Sequence, residues 1–161
     1  MSSMSKLILG VDPGKDTGWA LFRDAEMVEC GVIEDGFEGF CQWWRHRGLE
    51  NAGEYLRIVC ERFVPEVGLG GQDQMWAPEI QGAIRLLAAQ NGHPLNLQLR
   101  SDKSTLFGQE EQGDRGEGER RTWLAERGLE FHTNHAMDAA THVLVDRKRA
   151  RDLEFWNRYF A

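Results

Sequence analysis

Short apolar runs separated by turn residues fill the first sixty positions of the chain. Residues 6–12 (KLILGVD) are apolar and end in an acid, and a Pro-Gly turn follows at once. Residues 19–22 and 27–33 repeat this pattern after short polar turns, so the first three runs predict an antiparallel meander. A fourth strand is predicted over 55–60, and Glu61 follows it directly. Two of the predicted strands therefore end in acids.

Apolar residues at helical spacing predict four helices in the remaining chain. Ile80, Ile84 and Leu87, for example, form a stripe that predicts an amphipathic helix. Asn134 is a good N-cap and predicts the start of the last helix. The predicted helices cover residues 36–47, 77–91, 120–127 and 134 to about 151, and a fifth strand covers 95–99. The polar, Gly-rich residues 108–119 predict a flexible loop.

The resulting order, β-β-β-α-β-α-β-α-α, predicts an α/β fold built on one mixed sheet with helices on its faces. A length of 161 residues suits one hydrophobic core and is too short for two substantial ones. The sequence shows no internal repeat and no linker-like composition. We therefore expect residues 1–161 to form a single domain.

Charge and cysteine content limit the classes of function. The net charge is −7, which by itself argues against a nucleic-acid binder, although carboxylates gathered around a metal would also lower it. The 19 cations include 15 Arg, which suits contacts with phosphate. Three cysteines without CxxC spacing favour a reducing compartment. No apolar run approaches the ~18 residues that span a bilayer, and no signal peptide is apparent, so we expect a cytoplasmic protein without a membrane partner.

Four side chains that can bind metal follow the predicted strands or begin the last helix: Asp12, Glu61, His135 and Asp138. Strand ends in helix-flanked sheets are common ligand sites, and i,i+3 spacing puts the last two on one helix face. Three carboxylates together require a cation, and their oxygens favour Mg²⁺ or Mn²⁺. Two such ions are a standard device for phosphodiester cleavage. Each residue alone is more typical of an ordinary turn, strand end or helix start, and only the four together, at element ends that could share one sheet edge, favour a metal site.

Four segments that contain these residues resemble RuvC-type Holliday junction resolvases, a family with the RNase H-like fold. The segments are LILGVDPGKDTGWALF, IVCERF, EIQGAIRLLAAQNGHPLNLQLRSDKSTLFG and HAMDAATHVLV, and they occur in family order over most of residues 6–148. The resemblance implies an RNase H-like five-stranded mixed sheet with helices on both faces. It also implies two Mg²⁺ ions per site, with Mn²⁺ as a substitute and no small-molecule cofactor. Asp12, Glu61, His135 and Asp138 would be the ligands.

Further residues receive roles from the resemblance or from their charge. Lys103 matches a family lysine that is thought to contact phosphate near the scissile bond, and we count it as catalytic. His142, one turn after Asp138, is a candidate for orienting a ligand without touching the metal. The candidates for DNA contact are Lys103, Arg120, Arg121, Arg147 and Lys148. The acidic loop at 108–119 departs from the family pattern, which is basic there.

The resemblance implies a structure-selective endonuclease that resolves four-way (Holliday) junctions by paired phosphodiester hydrolysis, leaving 5′-phosphate and 3′-hydroxyl ends. The two-fold symmetry of a junction favours a homodimer, with the 77–91 helix as a candidate interface. We expect it to act in the bacterial cytoplasm, with phage infection as one setting.

Two alternatives remain open on the sequence. The same ligands would serve an RNase H-like nuclease that acts on forks, flaps or RNA–DNA hybrids. A non-catalytic DNA-binding module could keep the fold and lose the chemistry. An actin-like or sugar-kinase-like phosphotransferase shares the first motif, but such chains repeat the fold and are much longer.

Overall fold

A mixed five-stranded sheet organises the computed structural model, which describes residues 5–49, 55–65, 75–107 and 117–161. The strands are β1 (Lys6–Asp12), β2 (Thr17–Arg23), β3 (Glu26–Ile33), β4 (Tyr55–Glu61) and β5 (Leu95–Gln98). Their spatial order is β3-β2-β1-β4-β5. The first three strands form the predicted antiparallel meander, β4 pairs in parallel with β1, and β5 pairs in parallel with β4.

Helices cover both faces of the sheet, which confirms the predicted fold class. They are α1 (Gly36–Arg47), α2 (Trp76–Asn91), α3 (Glu117–Ala125), α4 (Asn134–Arg149) and the short α5 (Leu153–Phe155). A 3₁₀ helix (Arg100–Phe107) follows β5, and a π turn (Trp156–Phe160) follows α5. No helix in these described ranges is both long and apolar enough to cross a membrane.

The central strand β1 is buried on both sides because its side chains alternate between two hydrophobic clusters. Leu7, Leu9 and Val11 join the cluster that contains residues of α1 and α2. Ile8, between them, joins the cluster on the opposite face, which contains residues of α4. The period of two is the pattern of a strand, and burial of both faces explains why the run reads as almost continuously apolar.

Two glycines allow α4 to lie unusually close to the sheet. A Cβ atom at Gly10 in β1 would overlap the carbonyl oxygen of Ala139, and one at Gly18 in β2 would overlap that of His135. Neither strand position tolerates a side chain while the helix stays in place. The close approach fixes the first turns of α4 against the ends of β1 and β2.

The structure corrects the predicted bounds of two helices. Thr133, rather than Asn134, is the N-cap of α4, because its Oγ1 accepts a hydrogen bond from the Ala136 amide at 3.2 Å. The helix ends at Arg149, before Arg151 takes a left-handed φ of 53°. Helix α3 begins at Glu117, so the last three residues of the predicted 108–119 loop are helical. Residues 108–116 of that loop lie outside the described residues.

Two elements were not predicted: the 3₁₀ helix and the helical C-terminal segment. Asp152 caps the latter by accepting from the Glu154 amide at 3.2 Å. Phe155 and Tyr159 then enter the core, and the Tyr159 hydroxyl donates to the Ala25 carbonyl at 2.7 Å. The segment therefore continues the core beyond the last predicted helix.

Candidate active site

Parallel pairing brings the two strand-end acids to the same edge of the sheet. Asp12 is the last residue of β1, and Glu61 is the last residue of β4. The two strands are parallel neighbours, with Val11 opposite Cys60, so their carboxyl ends meet. This is the position where open α/β sheets commonly bind ligands.

The start of α4 adds His135 and Asp138 to this edge. The helix begins beside the end of β2, where Gly18 lets the His135 backbone approach. His135 Nδ1 then lies 3.5 Å from Asp12 Oδ2. An open cleft of about 330 Å³ is lined by Asp12, Pro13, Gly14, Lys15, Asp16, Glu61, Arg100, Lys103, His135 and Asp138. The structure thus brings all four predicted ligand residues, and Lys103, to one cleft.

Two cations face the acids of the cleft. Lys103 of the 3₁₀ helix places its Nζ 2.8 Å from Asp138 Oδ2 and 3.3 Å from Glu61 Oε2. Arg120 of α3 places Nη2 3.3 Å from Asp138 Oδ1. Only 5% of Lys103 is exposed, an unusual burial for lysine that its two carboxylate partners explain.

The three site groups with shifted pKa values differ in what surrounds them. Burial raises the pKa of Asp12, and the charges of Glu61 and Asp138 add to that rise, while His135 partly opposes it. Burial also disfavours the charge of Glu61, but contacts with His142 and Lys103 outweigh it and lower the pKa of Glu61. The neighbouring Asp12 carboxylate raises the pKa of His135. The negative charge of Glu61 is therefore stabilised by its neighbours, whereas that of Asp12 is disfavoured by its surroundings.

A buried histidine lies behind Glu61. His142, one turn after Asp138 on α4, places Nε2 2.9 Å from Glu61 Oε2. Its other ring nitrogen, Nδ1, lies 2.8 Å from the side-chain oxygen of Gln98 at the end of β5. Sequence reasoning included His142 but missed Gln98, which looks like an ordinary polar position in a strand.

The donor chemistry of the cleft fits a hard divalent cation. Three carboxylates and an imidazole line one opening, and carboxylate oxygens are the preferred ligands of Mg²⁺ and Mn²⁺. As the side chains stand, Lys103 bridges Glu61 and Asp138, and His135 pairs with Asp12. Within the described residues, no three His, Cys, Asp or Glu side chains stand in an arrangement that could hold a metal ion. A bound ion would take over charge compensation that these internal contacts now provide.

All five predicted DNA-contacting cations have partners within the chain: Lys103 and Arg120 contact acids of the cleft, and the other three bind elsewhere. Arg121 donates to the Phe131 carbonyl and, at 2.6 Å, to Asn134 Oδ1, which ties α3 to the start of α4. Arg147 and Lys148 lie near the far end of α4. Arg147 binds Asp146 and Asp152, and Lys148 donates to the carbonyls of Thr105 and Leu106. None of the three lines the cleft.

Two other cations line the cleft and were not singled out from the sequence. Lys15 lies in the turn after Asp12, and Arg100 begins the 3₁₀ helix after β5. The signal for Lys15 was its place in the DPGKD turn directly beside an acid. Arg100 carried no comparable signal, because only the sheet order brings the end of β5 next to β4.

Two solved structures share this architecture. One is Thermus thermophilus RuvC in complex with a Holliday junction substrate, at a TM-score of 0.67 and 15% identity. Another structure of Thermus thermophilus RuvC gives a TM-score of 0.64 and 18% identity. Each comparison covers 90% of this chain and 95% of the RuvC chain. No protein-family model matches this sequence, and no curated protein sequence does. The chain has the fold of RuvC, the RNase H-like fold.

Proposed function

We propose that this chain is a metal-dependent, structure-selective DNA endonuclease that hydrolyses phosphodiester bonds at four-way junctions. One observation carries the proposal: Asp12, Glu61, His135 and Asp138 reach a single open cleft from β1, β4 and α4. The fold shared with RuvC over 90% of the chain supports it. A cluster of three carboxylates in an accessible cleft is costly without cations, which favours a catalytic role over a purely structural one.

In this proposal the four residues hold two Mg²⁺ ions, and Mn²⁺ can replace them. When bound, the ions supply a nucleophilic water at neutral pH and stabilise charge on the attacking and leaving oxygens. The chain's own contribution is to fix the ligands on rigid elements. Asp12 and Glu61 end two buried strands, and Asp138 lies on a helix held against the sheet by close glycine contacts.

The cations of the cleft are suited to hold the phosphate groups of the substrate. Lys103 Nζ is fixed between two carboxylates, where a positive charge can stabilise the charge that develops on the attacked phosphate. Lys15 and Arg100 line the same cleft and are suited to neighbouring phosphates of the strand. Arg120 and Lys103 remain proposed DNA contacts. All five predicted DNA contacts, Arg121, Arg147 and Lys148 included, would exchange partners within the chain for phosphate groups of DNA.

We propose a homodimer as the active form, because paired cuts in a two-fold symmetric junction require two matched sites. Helix α2 is the candidate interface. It buries Ile80, Ile84 and Ala88 against the core and leaves Leu86 58% exposed. In light-scattering measurements, Leu86→Glu should shift the protein towards monomer, whereas Leu153→Glu, at the exposed leucine of α5, should not.

Cleavage of a labelled, immobile four-way junction tests the proposal. Duplex, fork, flap and RNA–DNA hybrid substrates are compared with Mg²⁺, with Mn²⁺ and with EDTA. Symmetric, metal-dependent cuts in the junction are the expected result. Preferential cutting of forks, flaps or hybrids would support metal-dependent phosphodiester hydrolysis but contradict the four-way junction as the substrate. Junction binding without cleavage under any metal condition would instead favour a non-catalytic binding module.

A further inference from the structure

A buried line of three polar side chains runs from the interior of the molecule to the cleft. Gln98 is 1% exposed and His142 is fully buried, while Glu61 lies at the cleft. The His142 ring joins the other two, with Nδ1 2.8 Å from the Gln98 amide and Nε2 2.9 Å from Glu61 Oε2. Both ring nitrogens of the fully buried His142 are therefore engaged by side chains.

The stability of the fold alone does not explain why Gln98 and His142 are polar. Burying an amide and an imidazole costs free energy that their hydrogen bonds only offset. The neighbouring residues of α4, Val143, Leu144 and Val145, are fully buried and apolar, so an apolar residue at 142 would suit the same core. The line instead ends on a carboxylate that faces the cleft, which points to a role at the site.

The carboxylate determines the hydrogen-bond direction of the ring. An ionised Glu61 can only accept, so His142 Nε2 must donate to it. In a neutral ring, Nδ1 then accepts. With Oε1 of Gln98 towards Nδ1, the buried Nε2 of Gln98 has no hydrogen-bond partner among the described residues. A half-turn of the amide brings that nitrogen to Nδ1 and gives it an acceptor.

We propose that Gln98 and His142 form a hydrogen-bond relay that fixes the position of Glu61. Every hydrogen bond in the relay is donated towards Glu61. Gln98 Nε2–H donates to His142 Nδ1, and His142 Nε2–H donates to Glu61 Oε2. Both are positioning residues, because neither lines the cleft. The relay holds Oε2, and in the described part of the chain the contacts to Glu61 from His142 and from Lys103 both involve Oε2 rather than Oε1. The metal-binding role of Glu61 rests on the proposed function.

Gln98→Leu tests the relay with little change in side-chain volume, and Asn96→Leu is its matched control. Asn96 lies two residues earlier on β5 and also donates to α4, but its partner is Asp146, at 2.7 Å and away from the cleft. Each substitution removes one polar contact between the same strand and helix. Differences between the two variants therefore report on the relay rather than on packing.

Mn²⁺ affinity, measured by calorimetry on the folded proteins, should fall about 10- to 100-fold in Gln98→Leu. It should stay at the wild-type value in Asn96→Leu. An unchanged affinity in Gln98→Leu, or equal losses in both variants, would overturn the positioning role. Junction cleavage at saturating Mn²⁺ should recover in Gln98→Leu if only the ligand geometry is impaired.

The nitrogen chemical shifts of the His142 ring test the direction without metal or activity. In metal-free wild-type protein, NMR should show a ring that carries its proton on Nε2 alone. Gln98→Leu should shift the ring towards a mixture of tautomers, and Asn96→Leu should not. A proton on Nδ1 alone, or on both nitrogens, would overturn the direction. A ring in the expected form, in a wild-type protein that neither binds Mn²⁺ nor cuts DNA, would uphold the direction and reject the proposed function.

Discussion

Helix α4 carries a polar cluster at each end, and the two clusters differ in how their charges are balanced. At the C-terminal end, Asp146 is a single carboxylate with three donors. Arg57 binds it through Nε and Nη2 at 2.9 and 2.8 Å, Asn96 donates at 2.7 Å, and Arg147 donates through Nε at 2.9 Å. Burial opposes the charge, but Arg57 and Arg147 outweigh it and lower the pKa of Asp146.

At the N-terminal end of α4 the charges are balanced differently, because Lys103 and Arg120 form ion pairs with Glu61 and Asp138, while Asp12 lies against a histidine. Asp12, Glu61 and Asp138 converge on a cleft in which Lys103 and Arg120 are their cationic partners. Burial, with the nearby carboxylates, raises the pKa of Asp12. The cluster around Asp146 is stabilised by contacts within the chain and needs no added ion. The cleft is arranged so that an added cation would stabilise it, which is the usual compromise of a functional site.

Removing the charge of Asp12 should have the largest effect, and it should separate activity from stability. We expect Asp12→Asn to reduce junction cleavage by more than about 100-fold. Loss of a residue that only hydrogen-bonds a metal ligand typically costs up to about 100-fold in activity, and loss of a ligand itself should cost at least as much. Thermal unfolding in EDTA should show no loss of stability, because the substitution removes a buried charge that its surroundings disfavour. Gel-based cleavage and circular dichroism measure the two effects.

Asp146→Asn is the matched change at the other end of the helix, with the opposite expected outcome. It should lower the free energy of unfolding by about 1–3 kcal/mol, because two partly buried arginines, Arg57 and Arg147, lose their charged partner. Cleavage by the folded variant should remain near wild type. If Asp146→Asn abolishes cleavage while Asp12→Asn only destabilises the fold, the two clusters have been assigned the wrong way round.

The close approach of α4 to the sheet offers the next test. Gly18→Ala should lower the free energy of unfolding by about 1–3 kcal/mol, because the new methyl group overlaps the His135 carbonyl. Cleavage should fall as well, since the displaced helix start carries His135 and Asp138. Urea unfolding and junction cleavage on the same preparations measure both effects.

Gly82→Ala is the control for that substitution. Gly82 lies inside α2, and a Cβ atom there meets nothing within 4 Å. Replacing a glycine inside a helix by alanine should stabilise the protein by up to about 1 kcal/mol. Because α2 is also the proposed dimer interface, cleavage is compared under conditions in which light scattering shows variant and wild type in the same oligomeric state, and it should then be unchanged. A Gly18→Ala protein as stable and active as wild type would show that the close contact does not position the site.

The same contrast shows why the sequence predicts some of the site and not the rest. Asp12, Glu61 and the His135–Asp138 pair are marked by local signals, namely two strand ends and one turn of helix. Their meeting at one sheet edge follows from the predicted mixed topology, which the structure confirms. The bounds of α4 were shifted by cap and turn geometry, which single residues such as Thr133 decide.

The parts that could not be predicted depend on contacts between distant residues. Gln98 and Asn96 alternate with apolar neighbours like any half-buried strand, and only their pairing with α4 reveals a relay and a structural cluster. Arg147 and Lys148 read as a basic surface in sequence. In the structure, Arg147 faces Asp146 and Asp152, while Lys148 donates to two backbone carbonyls. Charge in a sequence does not say which partner the fold will supply.

Acid should remove the stabilisation of the C-terminal cluster, the smallest of the expected effects. The pKa of Asp146 is lower in the folded protein than the value near 3.9 that is typical of an unfolded chain. Its contribution to stability is therefore complete above the unfolded pKa and is lost as pH falls through the folded pKa. The difference in unfolding free energy between wild type and Asp146→Asn should be constant from pH 7 to about 5, and should shrink below about 4.

Urea unfolding of both proteins across this range measures the difference, and Asp102→Asn supplies the comparison. Asp102 also has a lowered pKa, from its hydrogen bond with Arg149, but that pair lies at the surface and should contribute about 1 kcal/mol or less. Lowering the pH should therefore reduce the contribution of Asp146 to the unfolding free energy by more than it reduces the contribution of Asp102. A difference for Asp146→Asn that persists unchanged to pH 3 would mean that packing rather than ionised Asp146 stabilises this end of α4. The contrast between a charge-balanced end and a charge-rich end of one helix would then be lost.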